Sequence, residues 1–379
     1  MFKILSIFGT RPEAIKMAPV VHALNADTRF ESLVCVTAQH REMLDQVLSL
    51  FEIVPDFDLN LMRPGQNLHE LTARALFGLK SVLDETKPDM VLVHGDTTTA
   101  LCGTLASFYS QIPVGHVEAG LRTGDFAAPF PEEANRVLTD AVSTLHFAPT
   151  QRSRSNLLKE GKDPSGISVT GNTVIDALLW MTQRLPALDN PQIYGSAASL
   201  FSENRKDERV VLVTGHRRES FGSGFERICQ ALKSIAIKNP DVSIVYPVHL
   251  NPKVQKPVHE LLANISNIHL IPPLDYQDFV RMMNRAHLIL TDSGGIQEEA
   301  PSLNKPTLVM RDKTERPEGI DAGVVKLVGT QVETIVYQTQ LLLDSEEHYK
   351  HMQEAKNPYG DGTAALQIAD AIAQRLSST

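Results

Sequence analysis

The chain has 379 residues, of which 42% are hydrophobic and 21% charged, a composition typical of globular proteins. Its net charge of −9 argues against a general nucleic-acid binder, because phosphate backbones require a basic surface. No apolar run approaches the ~20 residues that span a membrane, and the scattered cysteines lack metal-ligand spacing. We therefore expect a cytoplasmic protein of two domains that binds neither nucleic acid nor membrane.

Apolar runs of strand length alternate with longer helical patterns in the N-terminal half. The predicted strands are Phe2–Phe8, Ser32–Thr37, Met90–His94, Val114–Val117, Leu145–Ala148 and Ile167–Val169. The clearest predicted helices between them are Ala14–Asn25, Arg41–Leu50, Thr98–Ser110 and Arg152–Glu160. The first apolar run is too short for a signal peptide. This alternation predicts a parallel sheet that is covered by helices on both faces.

The pattern breaks at Arg184–Glu208, where prolines, serines and charged residues without a clear period predict a linker. Beyond it the alternation resumes. The further predicted strands are Val210–Thr214, Ser243–Pro247, Ile268–Ile271, Leu288–Thr291 and Thr307–Met310. The sequence thus predicts an α/β fold of two Rossmann-like, doubly wound parallel-sheet domains, the first at 1–175 and the second at 176–361.

Residues suited to chemistry cluster at or just beyond predicted strand ends, where doubly wound sheets bind ligands. Arg11 and Lys16 lie near the start of the helix after the first strand, where the helix dipole disfavours cations. This placement favours an anion-binding role over the alternative of two solvated surface cations. The segment lacks G-x-G-x-x-G, so the usual nicotinamide dinucleotide site is not expected here.

Carboxylates follow the next strands of the first domain. Asp96 comes after a buried-looking strand and is either a helix N-cap or a catalytic group. Glu118 ends another strand and is either catalytic or a solvated loop acid. Acids that share one pocket shift each other's pKa and can form an acid/base pair. Glu132 and Glu133 follow a proline and fit either a favourable helix start or a role beside Glu118.

The second domain carries two further clusters. His216, Arg217 and Arg218 end its first strand before a glycine-containing loop, which fits either a diphosphate site or a charged surface loop. The stretch Ser293–Gly295 opens a helix, and backbone N–H groups at a helix N-terminus bind phosphates. Glu299 follows one turn later and could accept hydrogen bonds from ribose hydroxyls. The competing interpretation is a helix cap with an acidic first turn.

Motifs distributed over nearly the whole chain closely resemble those of bacterial non-hydrolysing UDP-N-acetylglucosamine 2-epimerases. They are FGTRPEAIKMAP, TAQHREML, VHGDTTT, GHVEAGLRTG, PFPEEANR, TGNTVIDAL, HRRESFG, YPVHLNP, LTDSGGIQEEAPSL and NPYGDG. The resemblance implies a GT-B-like fold whose two domains face a cleft, a final helix at about 362–379 that packs back on the first domain, and a homodimer. It also implies reversible conversion of UDP-N-acetylglucosamine to UDP-N-acetylmannosamine for bacterial surface polysaccharide synthesis, with neither cofactor nor metal.

The implied chemistry is elimination. Simple deprotonation is implausible because the C2 hydrogen of the sugar is not beside a carbonyl group, and transient oxidation would need a nicotinamide, against which the missing fingerprint argues. A base removes this proton while UDP leaves C1, which gives 2-acetamidoglucal. UDP then adds back with protonation from the opposite face. The resemblance assigns the acid/base roles to Asp96, Glu118 and Glu132, and stabilisation of the departing diphosphate to His216.

The resemblance also assigns ligand contacts. The implied substrate-binding residues are Arg11, Lys16, Arg136, Leu274, Phe279, Ser293, Gly294, Gly295, Glu299 and Arg316. Glu298 is predicted to be structural and Glu299 to hold the ribose. The positions implied to bind a second, activating substrate molecule are Gln39, His40, Gln66, Arg217 and His249. Some relatives have Gln at the positions of Leu274 and Glu42, and a basic residue at that of Gly65.

Three other functions are compatible with much of the sequence. A glycosyltransferase can share this fold and would pass the sugar to an acceptor, although no acceptor module is recognisable and three carboxylates cluster in the first domain. A regulatory protein that only binds a nucleotide sugar would have no use for acids near a diphosphate. A hydrolysing relative would release free N-acetylmannosamine and UDP.

Overall fold

A computed structural model of the chain describes residues 1–38, 41–63, 65–185, 195–215, 217 and 222–378. Two compact units divide the chain. The first comprises Met1–Ala177 and Tyr359–Thr379, and the second comprises Leu178–Pro358. None of the helices in the described ranges is both long enough and apolar enough to span a lipid bilayer.

The first unit is built on a seven-stranded sheet in which every strand pair is parallel. Its strands are β1 (Phe2–Phe8), β2 (Phe30–Val36), β3 (Phe57–Asp58), β4 (Met90–His94), β5 (Val114–Val117), β6 (Leu145–Ala148) and β7 (Ile167–Val169). The strand order β3-β2-β1-β4-β5-β6-β7 reverses direction between β1 and β4. In doubly wound sheets, ligands bind beyond the carboxyl ends of the strands at this switch point.

Helices connect these strands and cover the sheet. They are α1 (Arg11–Ala26), α2 (Arg41–Leu50), α3 (Leu68–Thr86), α4 (Thr98–Tyr109), α5 (Glu132–Val142), α6 (Gln151–Lys159) and α7 (Thr173–Arg184). The strands β4 and β5 are buried along their whole length. Full burial explains the apolar run at Met90–Val93 of β4, since a parallel strand that is covered on both faces has no solvent side.

The second unit repeats the architecture with a six-stranded parallel sheet of order β10-β9-β8-β11-β12-β13. Its strands are β8 (Arg209–Thr214), β9 (Val242–Pro247), β10 (Ile268–Ile271), β11 (Leu288–Thr291), β12 (Thr307–Val309) and β13 (Val325–Leu327). Its helices are α8 (Ser223–Lys238), α9 (Pro252–Leu262), α10 (Tyr276–Arg285), α11 (Gly294–Ser302), α12 (Pro317–Asp321), α13 (Val332–Asp344) and α14 (Glu346–Gln353). The switch point lies between β8 and β11. The prediction of two doubly wound parallel sheets is confirmed.

The last helix, α15 (Ala364–Ser377), belongs to the first unit and packs against α1. The returning chain is fixed where it passes the start of α7. A Cβ atom on Gly171 would lie 3.1 Å from the Cα of Gly360, so both positions require glycine for this close approach. The backbone N–H of Asn172 donates to the carbonyl oxygen of Tyr359 at 2.7 Å.

The segment predicted as a linker is in part a packed element. Its first residue, Arg184, is the last residue of α7. Residues 195–208 pack into the second unit, where the guanidinium of Arg285 donates to the carbonyl oxygens of Leu200 at 3.0 Å and Arg205 at 2.7 Å. Short 3₁₀ turns in this stretch explain why its sequence has no clear helical period. Residues 186–194 lie outside the described residues.

Candidate active site

The buried carboxylate of Glu13 fixes the turn between β1 and α1. Its Oε2 accepts hydrogen bonds from the backbone N–H groups of Gly9 (3.0 Å) and Thr10 (2.8 Å), and the Thr10 hydroxyl accepts one from the Glu13 N–H, which completes a capping box. Burial raises the pKa of Glu13, while these hydrogen bonds oppose the shift. The Oε1 atom accepts a hydrogen bond from the hydroxyl of Thr97 at 2.6 Å. Glu13 therefore joins the turns after β1 and β4 at the switch point.

Glu118 follows β5 directly and is only 9% exposed, so it is not a solvated loop acid. Its Oε2 atom accepts hydrogen bonds from the ammonium of Lys16 and from Asn172 Nδ2, the latter at 2.8 Å. Its backbone has a φ of +65°, a left-handed conformation that costs a non-glycine residue about 1–3 kcal/mol. Strained residues of this kind cluster at active sites, and here the strain places a buried carboxylate at the sheet edge.

His94, the last residue of β4, is a neutral neighbour of Glu118. Burial lowers the pKa of His94 to about 3, against the attraction of the nearby carboxylate. Its Nε2 atom lies 3.8 Å from Glu118 Oε2, and neither ring nitrogen has a hydrogen-bond partner in the described part of the chain. Within the described residues, Lys16 therefore compensates the charge of Glu118. Arg11, the first residue of α1, is partly exposed.

Asp96 is not the cap of α4. Thr97 has that role, because its hydroxyl oxygen accepts a hydrogen bond from the Ala100 N–H at 3.1 Å. Asp96 Oδ2 instead accepts from Arg136 Nε (2.9 Å) and Nη2 (2.7 Å). The Asp96 side chain is 29% exposed. The carboxylate is thus oriented by an arginine and is still accessible to a ligand.

The adjacent acids at the start of α5 have different roles. Glu133 is buried, and its Oε1 atom accepts hydrogen bonds from the N–H groups of Thr123 (3.0 Å) and Gly124 (2.9 Å). Glu132 is the first helical residue and is partly exposed. Pro131 occupies the N-cap position. Glu133 therefore fixes the preceding loop, whereas Glu132 is the acid that a substrate can reach.

The three predicted acid/base carboxylates lie on neighbouring loops. Asp96 follows β4 and Glu118 follows β5, and these strands are adjacent in the sheet, about 5 Å apart. Glu132 begins α5, which is held against the Asp96 turn because Asn135 Nδ2 donates to the Asp96 carbonyl oxygen at 2.8 Å. The carboxyl edge of the first sheet thus presents acids in three different surroundings, as acid/base chemistry requires.

The second unit has a candidate phosphate site at the start of α11. Ser293 is the N-cap, but its side chain makes no capping hydrogen bond, and Gly294 is the first helical residue. A Cβ atom on Gly294 would lie 3.4 Å from Arg217 Nη2 and 3.4 Å from Arg316 Cζ. Two guanidinium groups therefore stand beside a helix N-terminus, a combination that favours bound phosphate.

The adjacent glutamates of α11 are both buried but differ in their contacts. Glu298 Oε1 accepts a hydrogen bond from Arg316 Nε at 2.7 Å, which agrees with a structural role in holding that arginine. Glu299 lies close to Gly295, because a Cβ atom added to Gly295 would be 3.6 Å from Glu299 Oε2. The charge of Glu298 is offset by Arg316, so the two glutamates do not together neutralise the positive charge at the N-terminus of α11.

Arg311 was missed by the sequence analysis. It lies just beyond the carboxyl end of β12 and is buried, and its guanidinium contacts Glu315 at 3.2 Å. Burial opposes ionisation of Glu315, but the hydrogen bond from Arg311 and the nearby Arg217 and Arg316 hold its pKa below the ordinary value. Its position after a strand is the signal that could have identified it.

Two of the predicted substrate-binding residues lie after β10. Leu274 precedes α10 and Phe279 lies in its first turns, and both are partly exposed. In the sheet, β10 is three strands away from β11, or about 14 Å.

The predicted activator-binding residues belong to both units. Gln66 precedes α3 and accepts a hydrogen bond from Arg74, and His249 is exposed after β9. Arg217 lies beside Gly294, as described above. Gln39, His40 and the predicted diphosphate-stabilising His216 lie outside the described residues, so their roles stay predictions.

These features define a GT-B-like α/β protein with a candidate acid/base centre in one unit and a candidate phosphate site in the other. The family model described as UDP-N-acetylglucosamine 2-epimerase matches residues 22–373. The chain is 61% identical over 370 residues to the UDP-N-acetylglucosamine 2-epimerase of Yersinia pestis, and 60% identical over 370 residues to that of Escherichia coli (strain K12), with 98% of each chain covered. The crystal structure of the Neisseria meningitidis UDP-GlcNAc 2-epimerase bound to UDP-GlcNAc matches with a TM-score of 0.87 at 50% identity, covering 98% of this chain and 100% of that one. The chain therefore belongs to the UDP-N-acetylglucosamine 2-epimerase family and is an isomerase.

Proposed function

We propose that the chain reversibly converts UDP-N-acetylglucosamine to UDP-N-acetylmannosamine and that the product feeds synthesis of a bacterial surface polysaccharide. The Neisseria relative supports the choice of substrate, because its crystal holds UDP-GlcNAc. The observation that carries the proposal is the pair of unlike carboxylates beyond β4 and β5. Asp96 is accessible and held by Arg136, whereas Glu118 is buried and paired with Lys16.

The proposed reaction is elimination followed by re-addition. One carboxylate takes the C2 proton as the bond between C1 and the phosphate oxygen breaks, which gives 2-acetamidoglucal and UDP. The same oxygen then attacks C1 while a second acid delivers a proton to the other face of C2. Acids on three neighbouring loops supply both faces, and Lys16 keeps a positive charge beside Glu118 during these transfers.

The proposed diphosphate contacts are those at the start of α11. The N–H groups of Ser293–Gly295, with Arg316 and Arg217, would stabilise the charge of the departing UDP. We assign Arg217 here because of its position beside Gly294, in line with the diphosphate site that its place after the first strand of the second domain predicted, although the resemblance implied an activator role. His216 is proposed as a further stabilising group and Glu299 as the ribose acceptor. The remaining proposed substrate contacts are Arg11, Leu274 and Phe279.

Incubation with UDP-N-acetylglucosamine in heavy water, without added nicotinamide, tests the proposal. NMR should show UDP-N-acetylmannosamine with deuterium at C2, because the abstracted proton exchanges with solvent. Free N-acetylmannosamine with UDP would identify the hydrolysing reaction instead. An unchanged sugar would contradict epimerisation and favour a binding protein or an acceptor-dependent transferase.

We also propose that the chain forms a homodimer through α3 and α4. These helices pack together, and Cys102 Sγ lies 3.8 Å from the Thr72 carbonyl oxygen, which sets their relative height. Three aromatic side chains beyond this contact are exposed: Phe77 (77%) in α3, and Phe108 (53%) and Tyr109 (74%) in α4. Phe77 follows Thr72 by about the same distance along its helix as Phe108 and Tyr109 follow Cys102, so the three lie at a similar height. Exposed aromatic side chains at one level are typical of a protein interface.

Light scattering should therefore give the mass of a dimer for the wild type and of a monomer for Phe77→Glu. Ile237→Glu, which changes an exposed apolar residue of the second unit, is the control and should stay dimeric. A monomeric wild type, or a Phe77→Glu variant that remains dimeric, would contradict this interface.

A further inference from the structure

A fully buried histidine–aspartate pair connects β5 with α5. His116 and Asp140 are both 0% exposed. His116 Nδ1 lies 2.6 Å from Asp140 Oδ1, and His116 Nε2 lies 2.8 Å from the carbonyl oxygen of Gly95. Because neither side chain reaches the surface, neither can touch a substrate. Their effect on a reaction would have to pass through the residues they hold.

Both ring nitrogens of His116 have an oxygen atom at hydrogen-bonding distance, so the ring is held at both ends. Burial opposes ionisation of Asp140, but His116 and Arg122 beside it hold the pKa of this carboxyl well below its usual range. Arg122 Nη2 donates to Asp140 Oδ2 at 2.7 Å. The Asp140 carboxylate is therefore held by His116 on one oxygen and by Arg122 on the other.

The pair contacts the loops that carry Asp96 and Glu118 and includes a residue of α5, the helix that begins at Glu132. Gly95, whose carbonyl His116 holds, has a φ of +65° and immediately precedes Asp96. Asp140 Oδ2 accepts a hydrogen bond from the N–H of Gly120 at 3.1 Å, two residues beyond Glu118. Asp140 itself lies about two helical turns along α5 from Glu132.

We propose that His116 and Asp140 form a positioning pair that sets the spacing of Asp96, Glu118 and Glu132. The inference rests on the proposed epimerase function. Charged hydrogen bonds in a buried setting are rigid, because breaking one leaves an unpaired buried group. A shift of about 1 Å at a reacting centre can cost on the order of 100-fold in rate. Loss of the pair should therefore lower kcat while the nucleotide still binds.

The chain offers a matched control on the neighbouring strand. His146 in β6 lies opposite His116 in the strand register and is also buried. Its hydrogen bond to the same aspartate is to the backbone, because its Nε2 donates to the Asp140 carbonyl oxygen at 3.0 Å, whereas Asp140 Oδ1 is 3.9 Å from this nitrogen. A general effect of losing a buried histidine should therefore be similar for both residues, whereas the positioning role is specific to His116.

The first experiment compares His116→Gln with His146→Gln, using wild-type turnover as reference. We expect kcat to fall about 100-fold in His116→Gln with KM within about threefold, and kcat of His146→Gln to stay within about threefold of the wild type. Equal losses in both variants, or unchanged kcat in His116→Gln, would overturn the proposal. Absence of turnover in the wild type would instead contradict the proposed function itself.

The second experiment changes the other member of the pair, and it decides the question if His116→Gln does not fold. Asp140→Asn keeps an oxygen for Gly120 and supplies an N–H to the His116 ring, whereas Asp140→Ala removes both contacts. We expect kcat of Asp140→Ala to be about 100-fold below that of the wild type. We expect kcat of Asp140→Asn to be higher than that of Asp140→Ala by about tenfold or more. Equal kcat values for the two folded variants would show that these hydrogen bonds do not position the acids.

Discussion

Asp96→Asn is expected to lower both kcat and deuterium incorporation at C2 by about 1000-fold while the Kd for UDP changes by less than about threefold. General acid–base groups contribute rate factors of this order. The amide cannot take up a proton, but its oxygen can still accept the hydrogen bonds that Asp96 receives from Arg136. The variant should therefore keep the geometry of the site and lose its chemistry.

NMR in heavy water measures the exchange of Asp96→Asn, and calorimetry measures its affinity for UDP. Asp84→Asn is the charge-matched control, because Asp84 lies on the exposed face of α3, where it pairs with Lys80. The control should turn over like the wild type. Normal exchange with weakened UDP binding in Asp96→Asn would assign this carboxylate to nucleotide binding instead of proton transfer.

Much of the fold could be predicted from the sequence, because buried parallel strands are continuous apolar runs. The bounds of β1, β4, β5, β6 and β7 agree with the predicted ones. The strands β3 (Phe-Asp) and β13 (Val-Lys-Leu) were missed because each contains a charged residue and is not a continuous apolar run. The predicted linker was partly wrong because short 3₁₀ turns at residues 195–205 have no helical period, although they pack into the second unit.

The positions of the site residues were more predictable than their partners. Placement after a strand correctly indicated that Asp96 and Glu118 share one sheet edge. The capping role of Glu13 could also have been predicted from the sequence, because a threonine three residues before a glutamate at a helix start is the capping-box pattern. The contact between His116 and Asp140 joins residues 24 positions apart in the chain, so no local pattern could reveal it.

The functional division between adjacent acids also depends on tertiary contacts. Glu132 and Glu133 both favour a helix start in the sequence, and burial alone distinguishes the acid that holds a loop from the acid that is accessible. The same holds for Glu298 and Glu299, where the hydrogen bond from Arg316 identifies the structural member. One helical position changes the direction of a side chain by about 100°, so neighbouring residues of the same type need not share a role.

Gly294→Val is expected to weaken UDP binding about 300-fold by filling the space beside the α11 N-terminus. The added side chain would stand between the helix N–H groups and the guanidinium groups of Arg217 and Arg316, both 3.4 Å from the new Cβ. Loss of two charge-assisted hydrogen bonds of about 1.5–2 kcal/mol each corresponds to an effect of this size. The fold should tolerate the change, because this glycine is an ordinary helical residue.

Calorimetry with UDP and with uridine separates a phosphate effect from a general one, because uridine has the same base and ribose without phosphate. Uridine affinity should change less than about threefold in Gly294→Val, and Gly294→Ala should give an intermediate loss for UDP. Parallel losses for both ligands would mean that this helix end holds the nucleoside or the local fold. Unchanged UDP affinity would place the diphosphate elsewhere. The expected pattern, combined with intact UDP binding in Asp96→Asn, would assign phosphate recognition to the second unit and proton transfer to the first.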